Sequence, residues 1–189
     1  MTVEMPCSRR TIVLLFLLFF SLRVGIVYNF GVTELTGDSS SYHSYAVAIG
    51  EQSDWISTPS FFGSSREPGY PIFLWAVYII FGTANFFAVY VLQALVGLLT
   101  VYSVWRLAAV IFDERTGILA LLWSGTYVHY IWYTGKVLRE TLVFAILIFG
   151  FLHLWYFLNR ERNTDVLKSV HFWIFSLCFG LLIHTDARY

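Results

Sequence analysis

Asp38 is one of several carboxylates in a polar stretch between two apolar segments of the chain. It precedes residues that recur at helical spacing on one face: Tyr42, Tyr45, Ala46 and Ile49. One interpretation is that Asp38 caps this amphipathic helix by accepting backbone N–H groups. The other is that it acts as a catalytic base or metal ligand. The two are compatible, because a capping carboxylate is held in place and kept ionised.

The segment 66–71 reads Arg-Glu-Pro-Gly-Tyr-Pro, and its prolines and glycine predict an abrupt turn where a loop meets an apolar helix. A purely structural interpretation is that this turn ends the loop. For a functional interpretation, the guanidinium of Arg66 is suited to grip a phosphate at two points. The carboxylate of Glu67 is suited to bind a divalent metal ion or an acceptor amine.

A second charged segment joins two apolar runs and contains Lys136, Arg139 and Glu140. Glu140 stands at the start of an apolar helix, where the helix dipole favours a carboxylate whether or not it has a function. Ionisable groups so close to a membrane are costly, however, and are commonly functional. Arg23, inside the first apolar run, is expected either to extend to the bilayer surface or to pair with an anionic headgroup.

The histidines give a weaker metal signal. His43 in the polar loop and His184 near the C-terminus are the better metal-binding candidates. His129, His153 and His171 occur singly on apolar segments, which favours packing over ligation.

Composition then shows what kind of protein positions these groups. The chain is 58% hydrophobic and 13% charged, whereas a soluble domain is about a quarter charged. Twelve basic and twelve acidic residues balance, with no basic patch, which argues against nucleic-acid binding. Two cysteines form neither a metal motif nor a disulfide framework. Because no convincing cleavage site follows it, the first apolar run is predicted to be an uncleaved signal anchor.

A bilayer core about 30 Å thick requires roughly 20 apolar residues for each crossing helix. We therefore predict an all-α transmembrane bundle of five spans with an outer loop over about 29–85, and the spans are 11–28, 86–105, 117–134, 142–158 and 167–184. No repeat or linker divides residues 1–189 into separate domains. The run 71–81 is too short to cross, and we expect a helix at the membrane surface.

The distribution of basic residues predicts the orientation. With the N-terminus in the cytoplasm and the 71–81 run at the surface, the inner loops receive most of the basic residues: Arg9, Arg10, Arg106, Arg115, Arg160, Arg162 and Lys168. The outer side then receives Asp38, Glu67 and Glu140, and we expect these three carboxylates to approach one another.

The order of these features is itself informative. The first span is followed by Asp38 with its tyrosine-bearing helix, by Asp54-Trp55 and by the 66–71 segment. A short helix ending at Phe81-Gly82 comes next, and then a span that ends in residues 105–108. A helix start at 117–120 and Glu140 complete the order. This order resembles the GT-C type multispanning membrane glycosyltransferases. That superfamily includes the dolichyl-phosphate-mannose protein mannosyltransferases and the bacterial lipid A aminoarabinose transferases.

The resemblance implies a function. Such enzymes take a sugar from a polyprenyl-phosphate donor and transfer it, with inversion, to a protein, lipid or glycan outside the cytoplasm. It implies that Asp38 is a base or metal-linked carboxylate and that Glu140 supports it. Arg66, Lys136 and Arg139 would hold the lipid phosphate, and Glu67 would be a possible ligand for a divalent metal cofactor.

The resemblance also implies a location, the bacterial or archaeal cell (inner) membrane. Because relatives continue for several more spans, the chain is expected to be the N-terminal part of one such domain and inactive alone. Two alternatives stay open. One is a transporter or flippase-like binder of an anionic polyprenyl lipid, which would carry charges at mid-membrane on broken helices. The other is a non-catalytic truncated remnant.

Overall fold

The computed structural model describes residues 8–31, 34–51, 67–159 and 166–186, and every regular element among them is helical. The α-helices are α1 Arg9–Phe30, α2 Asp38–Glu51, α3 Gly69–Phe81, α4 Phe86–Ile111, α5 Glu114–Thr126, α6 Val128–Thr134, α7 Glu140–Leu158 and α8 Val170–Thr185. A single 3₁₀ turn, Val166–Lys168, precedes α8. The predicted all-α fold is confirmed.

Side-chain caps explain where several helices begin. The side chain of Ser8 accepts a hydrogen bond from the backbone N–H of Thr11 at the start of α1. Asn85 caps α4 in the same way, and Asp113 caps α5 with a 2.7 Å bond from the N–H of Thr116. Each cap satisfies one of the N–H groups that a helix start leaves without a partner.

Helix α4 is the centre of the bundle and packs against α1, α3, α5, α6 and α7. Small residues allow the closest approaches. A Cβ on Gly117 of α5 would lie 2.7 Å from the Cβ of Ala109 on α4, which is closer than two carbons can pack. The pair α7 and α8 lies against this core, with α8 packed on α7.

Three of the helices in the described residues are long and apolar enough to cross a membrane: α1, α4 and α7. They correspond to the predicted spans 11–28, 86–105 and 142–158. The predicted span 117–134 is interrupted at Tyr127, which has extended backbone angles and separates α5 from α6. The predicted span 167–184 corresponds to α8, a helix of 16 residues. The arrangement of five crossings stays a prediction.

The polar stretch after α1 contributes α2, which packs across α3. The buried residues of α2 are Tyr42, Tyr45, Ala46 and Ile49, the face that the spacing predicted. Helix α3 occupies the short apolar run and is 13 residues long.

Arg23 lies inside the helix bundle, and its side chain is completely buried. Its Nη1 donates to the carbonyl oxygens of Phe19 at 3.1 Å and of Gly125, near the end of α5, at 3.0 Å. Gly97 of α4 leaves room for it, since a Cβ there would lie 3.3 Å from the Arg23 Nε. The expectation that Arg23 reaches the bilayer surface was therefore wrong. The guanidinium turns inward because the last carbonyls of α5 need donors.

Candidate functional site

Three segments that are distant in sequence meet at one end of the bundle: the start of α3, the loop between α6 and α7, and the end of α8. Gly69 marks the contact between α3 and α8. A Cβ at this position would lie 2.6 Å from the Thr185 Oγ1 and 2.8 Å from the His184 carbonyl oxygen. The glycine is therefore required for the two chain segments to touch.

An ion network holds this contact in place. The Arg139 guanidinium donates through Nη1 to the carboxylate of Glu67, 72 residues earlier in the chain. Its Nη2 lies 3.4 Å from the Asp186 Oδ1, and Nη1 also donates to the Thr185 carbonyl at 3.4 Å. Arg139 is 6% exposed and Asp186 is 2% exposed. Two carboxylates, one just before α3 and one just after α8, thus share one buried cation at the start of α7.

A second network, beside the first, is centred on Gln93 of α4. Its Oε1 accepts a 2.7 Å hydrogen bond from the Tyr70 hydroxyl. Its Nε2 donates to the carbonyl oxygens of Thr134 at 2.9 Å and Lys136 at 2.8 Å. This amide therefore ties the loop between α6 and α7 to α3 through the central helix.

Glu140 begins α7 at the edge of this network. It is partly buried, and its Oε2 has no hydrogen-bond partner in the described part of the chain. Burial raises the pKa of Tyr70 well above its ordinary value, and the nearby charge of Glu140 acts in the same direction. The phenol of Tyr70 consequently stays protonated and remains a donor to Gln93.

Lys136 is partly buried in the same loop, with its Nζ 4.4 Å from the centre of the Trp132 ring. A cation over an indole face is stabilised by about 0.5–1 kcal/mol at an exposed site. The ammonium is thereby held in place three residues before Arg139 in the same loop. Lys136, Arg139 and Glu140 lie near one another because they are close in sequence. The hydrogen bonds of Gln93 to Thr134 and Lys136 additionally restrain the loop against α4.

Asp38 is the first residue of α2, and its side chain is exposed. The four-residue spacing puts it on the same face of α2 as Tyr42. The ring of Tyr42 packs edge-on against Tyr70, with the ring centres 5.1 Å apart. A chain of contacts therefore links Asp38's helix to the Tyr70–Gln93 network, while the approach of Asp38 to Glu140 itself stays a prediction.

Arg66 lies outside the described residues. Among those that are described, no group of three or more histidine, cysteine or acidic side chains is placed to hold a metal ion. His43 Nδ1 lies 2.9 Å from the Tyr78 hydroxyl, and His184 is exposed at the end of α8. His153 and His171 are partly buried between α7 and α8, as predicted for packed residues, but they contact each other, with their Nδ1 atoms 2.8 Å apart, which the sequence did not predict. His129 is exposed.

Sequence reasoning did not single out Gln93, Tyr70 or the pairing of Asp186 with Arg139. A signal for Gln93 exists, because it is an uncharged polar residue in the middle of an apolar span. Such residues are costly in lipid and usually face a partner inside the bundle. Asp186 offered no comparable signal, since its partner comes from another helix.

Residues 65–130 of the 189-residue chain match the family described as dolichyl-phosphate-mannose-protein mannosyltransferase. The match confirms the predicted resemblance and supports a membrane glycosyltransferase of the GT-C type. It covers α3, α4 and α5 and ends within α6. No curated protein and no solved structure matches the chain.

Proposed function

With the match to the mannosyltransferase family as the premise, we propose that the chain moves a sugar from a polyprenyl-phosphate donor to a lipid, glycan or protein acceptor. The transfer would take place outside the cytoplasm, at the bacterial or archaeal cell (inner) membrane. The match is the observation that carries the proposal. The networks around Gln93 and Arg139 support it, because they bring the matched segment against Lys136 and Arg139 in the loop that precedes Glu140.

Asp38 is the proposed base. It would take the proton from the acceptor hydroxyl, whose oxygen then attacks the anomeric carbon while the bond from that carbon to the phosphate oxygen breaks. Attack from the face opposite the phosphate inverts the configuration. The exposure of Asp38 supports this role, because a base must be accessible to its substrate. Glu140 is the proposed supporting carboxylate.

The leaving phosphate requires positive charge. We assign this role to Lys136, Arg139 and Arg66. Positive groups near a departing phosphate stabilise the charge that develops on it. Arg139 already binds Glu67 and Asp186, so its positive charge would act on the phosphate while both carboxylates stay bound to it. The Lys136 ammonium lies over the Trp132 ring. Glu67 is the proposed ligand if a divalent cation takes part.

The proposal is tested in proteoliposomes with a full-length version of the protein. The donors are radiolabelled polyprenyl-phosphate mannose and aminoarabinose, and the acceptors are membrane lipids and membrane proteins. We expect transfer of label to a new lipid or protein product, and loss of that product when Asp38 is replaced by Asn. A chain that is inserted and folded but transfers no label, from mannosyl and aminoarabinosyl donors alike, contradicts the proposal.

One observation favours the transporter-like alternative. Arg23 is a fully buried charge in α1 and lies next to the break between α5 and α6. Charges beside broken helices are typical of transporters. A flippase would carry a fluorescent polyprenyl phosphate across the same liposomes without forming a glycosylated product. The two assays on one preparation distinguish the two functions.

A further inference from the structure

Gln93 is completely buried in the central helix, as are the apolar residues Val89 and Ala94 on the same helix. A primary amide that is buried without partners costs several kcal/mol, of the order of 2–7. Gln93 avoids this cost because its oxygen accepts one bond and its nitrogen donates two. The side chain is thus fully committed to neighbours from other elements.

Those neighbours are the two segments that form the candidate site. The oxygen of Gln93 binds the Tyr70 hydroxyl in the first turn of α3, immediately after Glu67 and Pro68. The nitrogen binds two carbonyls that bracket Gly135, just before the charged part of the loop. Only an amide offers one acceptor and two donors at this reach, so no other side chain reproduces all three bonds.

We infer that Gln93 is the positioning residue of the site, and that it acts by holding the backbone at Lys136. The inference rests on the proposed function in so far as it calls this loop part of the reacting site. The restraint of residues 134–136 does not depend on that function, because it follows from the hydrogen bonds of Gln93 to the carbonyls of Thr134 and Lys136. Val137 is also buried and packs in the same core, so the loop is anchored on both sides of Lys136.

The two halves of the amide can be separated. Gln93→Glu keeps an oxygen that accepts the hydrogen bond of the Tyr70 hydroxyl. It replaces the amide nitrogen, which donates to the carbonyls of Thr134 and Lys136, with a carboxylate oxygen that repels them. Tyr70→Phe removes the bond to α3 and leaves both donors to the loop. If Gln93 acts on the loop, the first change is much more damaging than the second.

The experiment measures hydrogen exchange of the peptide covering 134–140 together with kcat and KM for polyprenyl-phosphate mannose. For Gln93→Glu we expect the loop amides to exchange roughly tenfold faster. We expect kcat to fall by about tenfold to a hundredfold, because displacements near 1 Å at a reacting site have effects of that size. For Tyr70→Phe we expect unchanged loop exchange and a loss of kcat below about threefold.

Ser103→Ala is the matched control. Ser103 is also fully buried on α4, but its hydroxyl donates within its own helix to the Leu99 carbonyl. We expect no change in loop exchange or kcat. If the Glu variant fails to insert, Gln93→Met, which keeps the volume and removes all three bonds, is compared with Tyr70→Phe instead. The difference between these two variants then gives the effect of the two bonds to the loop.

The pH dependence separates positioning from general destabilisation. The carboxyl group introduced by Gln93→Glu can donate one bond to the loop when it is protonated and none when it is ionised. We therefore expect the activity of this variant, relative to the wild type, to fall as the pH rises. Unchanged loop exchange, or equal effects of Tyr70→Phe and Gln93→Glu, overturns the inference. Normal kcat despite faster exchange also overturns it, and a wild type without transfer activity refutes only the proposed function.

Discussion

The carboxylates at this end of the bundle differ in their surroundings. Glu67 and Asp186 are bound to Arg139, and Glu140 is partly buried with one oxygen enclosed. Asp38 is exposed at the start of a helix. Separating a carboxylate from a buried cation is energetically unfavourable, because the cation would be left as an unpaired buried charge. Of these four carboxylates, Asp38 is the one with an exposed side chain.

Asp38→Asn is predicted to reduce sugar transfer by roughly a hundredfold or more. Asp38 stands in the first turn of α2, where the helix dipole favours a carboxylate by about 0.3–1 kcal/mol. Because its side chain is exposed, insertion should stay as in the wild type and the unfolding midpoint should change little. Transfer is measured with a full-length version of the protein and the labelled donor. Ser39→Ala, at the next position of the same helix, is the control. Near-normal transfer by the Asn variant would leave Asp38 with a capping role alone.

His43 makes a prediction about pH. Burial lowers the pKa of its imidazole, which packs beside the Tyr78 hydroxyl. The unfolded chain then binds a proton more readily than the folded one. Stability is therefore fully present above the unfolded pKa of about 6.5 and decreases as the pH falls through that value towards the lower, folded pKa.

We expect the thermal unfolding midpoint in detergent to drop between about pH 7.5 and pH 5.5, and His43→Gln to make that drop smaller. His129, whose side chain is exposed, provides the matched variant His129→Gln. An equal pH dependence in the wild type and the His43 variant would show that the titration of His43 does not contribute.

At the level of helices, the contact between α3 and α8 depends on Gly69. Gly69→Ala would place a methyl group against Thr185 and the backbone of His184. We predict a loss of about 1–3 kcal/mol in the free energy of unfolding, as expected for overpacking. Because the contact also positions Glu67 and Asp186 around Arg139, transfer should fall as well. The measurement is unfolding in mixed micelles by denaturant titration.

Gly25→Ala on α1 is the control for this change, since nothing lies within 4 Å of a Cβ at Gly25. A methyl group there should be neutral or slightly stabilising, by up to about 1 kcal/mol, because alanine favours the helix over glycine. Equal stability losses at the two positions would mean that the close approach of α3 and α8 does not limit packing.

For the whole molecule, the side of the membrane on which each loop lies decides whether the candidate site faces outward. We predict that α3 does not cross the bilayer, because it is 13 residues long and crossing requires about 20. Cysteines introduced at Thr83 or Ala84, both exposed in the turn after α3, should react in intact cells with a reagent that cannot cross the membrane.

Arg115→Cys, at the start of α5, is the control and should react only after the membrane is made permeable. Both variants are made in a chain with Cys7 and Cys178 replaced by serine. Protection of Thr83→Cys from the outer reagent, with labelling from inside, would reverse the topology and remove the role proposed for Glu140.

The sequence was sufficient for features that depend on local spacing. Tyr42, Tyr45, Ala46 and Ile49 repeat at helical intervals, so their buried face on α2 could be predicted without the structure. The long apolar runs likewise predicted α1, α4 and α7, because a run of that length in lipid must satisfy its backbone hydrogen bonds as a helix. The short length of α3 could be predicted from Pro68 and Gly69 at its start and Gly82 at its end.

The remaining features depend on which helix faces meet. The interruption at Tyr127 lies within an apolar run whose composition alone favours a continuous helix, and the inward turn of Arg23 depends on Gly97 and Gly125 beside it. Arg139 pairs with Glu67, which is 72 residues earlier in the chain, and local spacing in the sequence does not predict this pairing. Helix formation depends on residues that are neighbours in the sequence. The partners of a buried charge or amide depend instead on how the helices pack across the whole bundle. For this reason the networks of Arg139 and Gln93 could be identified only from the tertiary structure.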